Sequence, residues 1–185
     1  MVKIAVYCPK TFFRYQTVKD SISLFMRKKT APEVKALFRQ TVYGWSHKPR
    51  FQQKLTNRPD YMAMSVWASG DNANQYSLVN FGTRPHTIYP VNAKMLRFKW
   101  GGRGSYRAST TPGKLMSKRH YKTGPVRSFL SVDHPGFEAR RFDQTIAEQY
   151  RDTFKKDMRT AIRAAVSAEM KRGNRESEAL HSATS

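Results

Sequence analysis

The alternation of apolar and polar residues predicts three helices in this chain. Residues 1–10 begin with apolar side chains at every second position, which indicates a short strand or an extended arm. From residue 11 to about residue 29 the apolar side chains recur in three- and four-residue steps, which predicts an amphipathic helix. These apolar positions are Tyr15, Val18, Ile22 and Phe25. The sequence Thr30-Ala-Pro-Glu33 resembles a capping box with Pro32 in the first turn, and it predicts a second, short helix through Leu37.

The clearest helical pattern lies near the C terminus, from about residue 141 to residue 172. One stripe of the predicted helix is apolar, and the opposite side is charged. The stripe consists of Ala147, Tyr150, Phe154, Met158, Ala161 and Ala165. Phe142 lies well off this stripe, so we expect it to contact another part of the fold or another subunit. Gly173 is suited to end the helix, and we expect residues 173–185 to form a disordered tail.

The middle of the chain favours β-structure. Runs containing Tyr, Val, Thr and Trp alternate with Pro, Gly, Asn and Asp. The predicted strands are residues 39–47, 51–57, 61–69, 76–82, 94–100 and 125–133. Together these elements predict an α+β fold in which an antiparallel meander packs against the N-terminal helices and the long C-terminal helix. We expect a single domain over residues 1–172, interrupted by a long basic loop at residues 101–125.

Charge adds a second feature to this picture. The 185 residues contain 34 Lys and Arg against 13 Asp and Glu, a formal net charge of +21. The 61 residues between Asp71 and Asp133 contain eleven bases and no acid. A concentration of charge of this size points to a polyanion in the surroundings of the protein.

The loop at residues 101–125 holds most of these bases and is rich in Gly, Ser, Thr and Pro. Its candidate DNA-facing or inter-subunit bases are Arg103, Arg107, Lys114, Lys118, Arg119 and Lys122. Together with Tyr106 and Tyr121 they are suited to contact phosphates and stack on bases. A solvated mobile loop, or an arm packed on a neighbouring subunit, explains the same composition equally well.

Several function classes are excluded or unsupported. The lone Cys8 rules out an intramolecular disulfide framework and a cysteine-based zinc finger. No apolar run is long enough to span a membrane. The five histidines are scattered, and no nucleophile elbow is present. We therefore expect no enzyme activity, no cofactor and no metal, although a small nuclease site assembled from distant strands stays open as an alternative.

Residues 78–98 and 134–136 form the most informative motif. They read as a strand ending at Phe81, a turn at Gly82-Thr83, a proline-rich crossing, a strand beginning near Lys94 and, later, a His-Pro-Gly turn before the long helix. The ordered positions are Phe81, Gly82, Thr83, His86, Ile88, Pro90, Ala93, Lys94, Leu96, His134, Pro135 and Gly136. In this order, and followed by a helix, they resemble the neck or tail-completion (head–tail joining) proteins of tailed bacteriophages.

This resemblance covers about residues 76–170. It departs from the family pattern at Asn80, where the family often has an acid, and at Arg140-Arg141-Phe142, where the family often has Arg-Pro-Phe. Both departures affect details of the subunit contacts.

The resemblance implies a structural virion protein, made in the host cytoplasm, that forms a homo-oligomeric ring at the neck, commonly a hexamer. Such a ring joins the head connector to the tail-terminator or tail-tube proteins. It encloses a channel through which genomic DNA passes without sequence recognition. The motif residues and Phe142 then serve assembly. The alternative function is a basic nucleic-acid-binding protein outside the virion, with or without a nuclease site.

Overall fold

The computed structural model describes residues 1–7, 15–102, 110–115 and 124–183, and the fold is α+β as expected. The helices are α1 (Tyr15–Phe25), α2 (Ala31–Thr41), α3 (Ala73–Phe81) and α4 (Phe142–Ala183), and a π-helical segment (Met26–Thr30) joins α1 to α2. The strands are β1 (Val2–Tyr7), β2 (Arg50–Asn57), β3 (Tyr61–Ser69), β4 (His86–Ile88), β5 (Leu96–Lys99), β6 (Val126–Phe129) and β7 (Val132–His134).

The described strands form one three-stranded sheet and two separate two-stranded ribbons. The sheet has the order β1-β3-β2, with β1 antiparallel to β3 from Val2 opposite Val66 to Tyr7 opposite Tyr61. In the ribbons, β4 pairs with β7 and β5 pairs with β6, both antiparallel. Each ribbon therefore brings together two segments that are distant in sequence.

The chain divides into two compact units, and the divisions fall inside α2, β2, β3 and α4. Unit 1 comprises residues 1–36, 52–67 and 147–185, and unit 2 comprises residues 37–51 and 68–146. The expectation of a single domain stays a prediction.

The core of unit 1 is aliphatic. The central strand β3 buries three consecutive residues from Met62 to Met64. Because successive side chains of a strand point to opposite faces, both faces of β3 are covered here. The helical residues Ile22, Met26 and Val34 are also fully buried in this unit. Two polar contacts tie α4 to the N-terminal helices here. The Tyr150 hydroxyl donates to the Glu33 carboxylate (2.7 Å), and the Lys29 ammonium pairs with Asp157 (2.7 Å).

The core of unit 2 is aromatic and is centred on Tyr76. The Tyr76 ring lies 5.4 Å from Phe51, 6.1 Å from Phe38 and 5.6 Å from Phe142, measured between centroids. Burial raises the pKa of the Tyr76 hydroxyl well above its ordinary value of 10.0, even though Thr41 lies within hydrogen-bonding distance of it. Phe142 therefore belongs to the interior of this unit, and its position off the stripe of α4 is explained by contact with another part of the same fold.

The N-terminal helices differ from the expected break at Thr30. The chain stays helical from α1 through α2, and Ala31 N–H bonds to the Met26 carbonyl across five residues. Pro32 has no N–H to offer the carbonyl four residues earlier, so an α-helix would lose a bond at this point. A π-helical turn redistributes the bonds without leaving the helix.

The predicted strands at residues 39–47 and 76–82 are wrong. The first segment is the end of α2 followed by a turn, in which Phe38 and Val42 keep the four-residue spacing of a buried helical face. The second segment lies in α3, where Tyr76 and Asn80 are buried one turn apart. Tertiary burial of these residues outweighs the strand propensity of Tyr, Val and Phe.

The remaining differences concern element ends. The strand predicted at residues 94–100 begins at Leu96, and the segment 125–133 is two strands separated by residues 130–131. The disordered tail predicted at residues 173–185 is wrong as far as Ala183, because α4 continues through Gly173. Glycine weakens a helix by only about 1 kcal/mol, so flanking residues with good helix propensity carry α4 past it.

We expect Phe142→Ala to lower the free energy of unfolding by about 3–5 kcal/mol, because it removes a fully buried ring. Phe81→Ala is the matched control, since 68% of the Phe81 side chain is exposed and its loss is expected to cost less than about 1 kcal/mol. Urea denaturation followed by circular dichroism measures both. Equal losses in the two variants would contradict the assignment of Phe142 to the core.

Candidate assembly site and basic ribbon

Two of the sequence motifs meet at one point in unit 2, through their backbones. Thr83 N–H donates to the Phe137 carbonyl (3.0 Å), and Phe137 N–H donates to the Thr83 carbonyl (3.1 Å). We call the four residues Gly82, Thr83, Gly136 and Phe137 the glycine clasp. The clasp joins the turn after α3 to the His-Pro-Gly turn before α4.

Both glycines of the clasp are required by geometry. Gly82 has φ +79° and Gly136 has φ +75°, in the region that L side chains rarely adopt. A Cβ at Gly82 would lie 2.7 Å from the Ala139 nitrogen, and a Cβ at Gly136 would run into the Thr83 carbonyl oxygen. The opposing atoms are backbone, so they cannot move aside as a flexible side chain can.

The clasp also sets the start of α4. Arg140 and Arg141 donate their backbone N–H groups to the carbonyls of Val79 (3.2 Å) and Asn80 (3.0 Å) at the end of α3. The Asn80 amide exchanges two hydrogen bonds with Asp143, accepting from its backbone N–H (3.4 Å) and donating to its carboxylate (3.3 Å). Asn80 thus caps the first turn of α4 from a distant segment, as an N-cap side chain normally does locally.

Next to the clasp, His86 and His134 form a stacked pair in the β4–β7 ribbon. They are opposite residues in the ladder, and their ring centroids are 5.2 Å apart with an interplanar angle of 28°. His86 Nδ1 donates to the Arg84 carbonyl (2.8 Å), whereas His134 Nδ1 accepts from Gly136 N–H (3.0 Å). These bonds assign the Nδ1 proton to His86 and leave His134 Nδ1 unprotonated.

The surroundings of His134 disfavour its charged form. Burial lowers the pKa of His134 below 6.5, and the neighbouring His86 lowers it further by repulsion. Protonation at Nδ1 would also remove the acceptor of Gly136 N–H. The neutral form of His134 therefore supports the turn, because its Nδ1 accepts from Gly136 N–H.

The other motif residues occupy different environments. Phe81 is exposed beside the clasp, Pro90 is half-buried, and Lys94 and Pro135 are exposed. The structure therefore brings Gly82, Thr83, His86, His134 and Gly136 together, while Lys94 lies in the segment before β5 and Phe142 lies in the core. All of these positions belong to unit 2.

An exposed apolar patch was not predicted from the sequence. We define it as Ile88, Tyr89, Val91, Met95 and Leu130, whose side chains are 37%, 66%, 92%, 45% and 71% exposed. Ile88 is the last residue of β4, Tyr89, Val91 and Met95 lie between β4 and β5, and Leu130 lies between β6 and β7. Continuing the β5–β6 register by one step places residue 130 opposite residue 95, and continuing the β4–β7 register by two steps places it opposite residue 90. The patch therefore consists of residues at the ends of the ribbon strands and between them. The only sequence signal was the apolar content of a segment that lacked strand alternation.

The β5–β6 ribbon has two different faces. Opposite residues of an antiparallel ladder share a face, so Leu96, Phe98, Arg127 and Phe129 lie on one side. On that side Phe98, Phe129 and Trp100 pack together with centroids 5.2–5.8 Å apart. The other side carries Arg97, Lys99, Val126 and Ser128, all exposed. We call this second side the cationic face.

The ribbon also forms the base of the long basic loop. Trp100 N–H donates to the Pro125 carbonyl (2.9 Å), and a Cβ at Gly124 (φ +107°) would collide with the Trp100 carbonyl. Within the loop Thr110 and Leu115 are buried, and the buried Arg140 donates its Nε–H to the Thr110 hydroxyl (3.1 Å). Among the described residues of the loop, the two ends are joined through Trp100 and Pro125, and Thr110 is held by Arg140.

Of the six candidate bases in this loop, Lys114 is described and is exposed. The other five, Arg103, Arg107, Lys118, Arg119 and Lys122, lie outside the described residues, as do Tyr106, Tyr121 and Cys8.

Within the described ranges, no group of three or more His, Cys, Asp or Glu side chains is arranged to hold a metal ion. Among the helices of the same ranges, none combines the length and apolar character that crossing a membrane requires.

Comparisons with protein-family models, with curated proteins and with solved structures found no match to this chain.

We expect Gly136→Ala to lower the free energy of unfolding by about 3 kcal/mol, because it combines backbone strain with a collision against the Thr83 carbonyl. Gly70→Ala is the matched control, since Gly70 has φ +81° but open space around it. Strain alone should cost about 1–2 kcal/mol there. Urea denaturation compares the two, and equal costs would refute the clasp as a steric constraint.

We also expect stability to fall as the pH drops below 6.5. Because the folded state lowers the pKa of His134, the unfolded chain binds a proton at a higher pH than the folded protein does. The contribution of neutral His134 to the free energy of unfolding is therefore complete above pH 6.5 and is lost as the pH falls through the folded-state pKa. His134→Asn keeps an acceptor for Gly136 N–H without this titration. Denaturation midpoints from pH 5 to 7.5 should therefore vary less in the variant, and identical profiles would contradict the assignment.

Proposed function

We propose that this chain is a structural protein of a tailed-bacteriophage virion that forms a homo-oligomeric ring at the head–tail interface. In this role it joins the head connector to the tail and surrounds the channel for the genome. The proposal assigns the motif residues to scaffold and assembly and gives none of them a catalytic step.

The observation that carries the proposal is the glycine clasp. The aromatic-Gly-Thr turn and the His-Pro-Gly turn were singled out in the sequence as parts of one family pattern, although 51 residues separate Thr83 from Pro135. The reciprocal backbone hydrogen bonds explain why the two turns occur together in the pattern. Each turn has a glycine because the backbone of the other turn lies too close for a Cβ atom. A pattern that encodes a scaffold rather than a reactive group supports a structural role.

The apolar patch supplies a second line of support. Contiguous exposed apolar side chains on a water-soluble surface commonly mark an interaction site. A closed ring requires one surface of a subunit to meet a different surface of its neighbour. The patch lies at the ends of the ribbon strands and between them, in the same unit as the clasp, so an assembly role connects both features.

A second candidate function is a nucleic-acid-binding protein outside the virion. The cationic face favours it, because Arg97 and Lys99 are exposed on a two-stranded ribbon without a carboxylate in the surrounding sequence. This function predicts tight binding of the isolated chain to short duplexes, with a steep loss on adding salt. The ring function predicts weak binding by the isolated subunit.

We expect the full chain to assemble into rings, alone or on purified connector or tail complexes, as seen by light scattering and negative-stain imaging. Introducing two charges into the patch with Val91→Glu and Leu130→Glu should reduce assembly at least tenfold, because burying an unpaired carboxylate is costly. Leu24→Glu with Met170→Glu is the control, since both residues are exposed outside the patch.

A chain that stays monomeric and joins neither connector nor tail complexes would refute the ring function. Equal assembly of the patch variant and the control, with both folded by circular dichroism, would remove the patch from the interface.

A further inference from the structure

The cationic face of the β5–β6 ribbon has the geometry of a phosphate-binding surface. Arg97 and Lys99 are two residues apart on one strand and so project from the same side, with backbone positions about 6.6 Å apart. Ser128 lies directly opposite Arg97 and adds a hydroxyl donor. The face thus offers two cations and a neutral donor in one short row.

No acid neutralises this face within the described part of the chain. Neither Arg97 nor Lys99 takes part in an ion pair or side-chain hydrogen bond among the described residues, and the nearest acids in sequence are Asp71 and Asp133. Asp133 is itself engaged by the Thr87 hydroxyl (2.8 Å). Both cations are therefore free to pair with an external anion.

The opposite face explains why this side stays exposed. Phe98, Trp100 and Phe129 pack on one another there, so the ribbon buries its apolar side chains on that side alone. A two-stranded ribbon is marginal without such packing. The aromatic cluster therefore keeps the strands paired while leaving the cationic face to solvent.

Cations that meet phosphates fix a protein on the duplex without reading its sequence. Two exposed cations about 6.6 Å apart can each contact a separate phosphate, as the regularly repeated charge of a nucleic-acid backbone allows and a single small anion does not.

We propose that the cationic face binds the phosphate backbone of duplex DNA through Arg97 and Lys99, with Ser128 as an additional donor. The inference rests on the proposed function only in saying which DNA is bound, namely the genome inside the ring. It assigns the contact to the ribbon, in addition to any made by the loop above it.

The test measures binding of the full chain to a 20-base-pair duplex by fluorescence anisotropy from 50 to 200 mM salt. Arg97→Thr with Lys99→Thr keeps strand propensity and removes both charges. Each lost phosphate contact should reduce the slope of log K against log salt by about 0.9. The slope for the double variant should therefore be smaller by about 1.8. Raising the salt from 50 to 200 mM should then weaken DNA binding by the variant about 12-fold less than it weakens binding by the wild type.

The matched control is Lys155→Gln with Lys156→Gln, which removes two exposed charges from α4, where Asp152 and Asp157 lie nearby. It should leave the slope unchanged, and Arg97→Lys with Lys99→Arg should restore it. A folded threonine variant with the wild-type slope, or a control with an equal loss, would overturn the proposal.

Ring assembly is measured on the same samples, which separates the two hypotheses. Rings with an unchanged slope in the threonine variant would refute the cationic face and leave the proposed function standing. A strictly monomeric chain with the reduced slope would refute the ring function and retain DNA binding by this face.

Discussion

The pair of backbone hydrogen bonds between Thr83 and Phe137 is the contact on which unit 2 depends. It fixes the end of α3 against the start of α4, and three arrangements follow from it. Asn80 reaches the first turn of α4, His86 stacks on His134, and Phe142 enters the aromatic core beside Tyr76. Backbone atoms make the contact, so neither Gly82 nor Gly136 can carry a side chain unless the opposing backbone moves.

The sequence predicted elements well where one face of a segment is buried over several turns. The stripe of α4, the strand β3 and the turns at Gly82 and Gly136 were predicted from the sequence, whereas residues 1–10 were predicted as a strand or an extended arm without a pairing partner. The pattern failed where burial comes from a distant segment, as in α3, whose Tyr76 is buried by Phe51 and Phe142. The contact between the two motif turns could not be predicted from the sequence either. A ladder of three residues, such as that between β4 and β7, has too little periodicity to identify its partner strand.

The acid-free segment between Asp71 and Asp133 is organised more specifically than its composition indicates. The acid-free stretch predicts the position of the charge but not its arrangement, and the density of bases in the sequence favours the loop over the ribbon as their site. The structure shows that the β5–β6 ribbon carries its aromatic side chains, together with Arg127, on one face and Arg97 and Lys99 on the other. Strict alternation over four residues carries that information, although the adjacent Met95 and Leu96 obscured where the alternation begins.

Arg140 gives the long loop a mechanical connection to the rest of unit 2. Its guanidinium holds the Thr110 hydroxyl, while its backbone N–H holds the Val79 carbonyl at the end of α3. The buried Arg140 therefore connects residue 110 of the loop to the junction of α3 and α4. Through this one side chain, Thr110 is connected to the residues that immediately precede the first turn of α4.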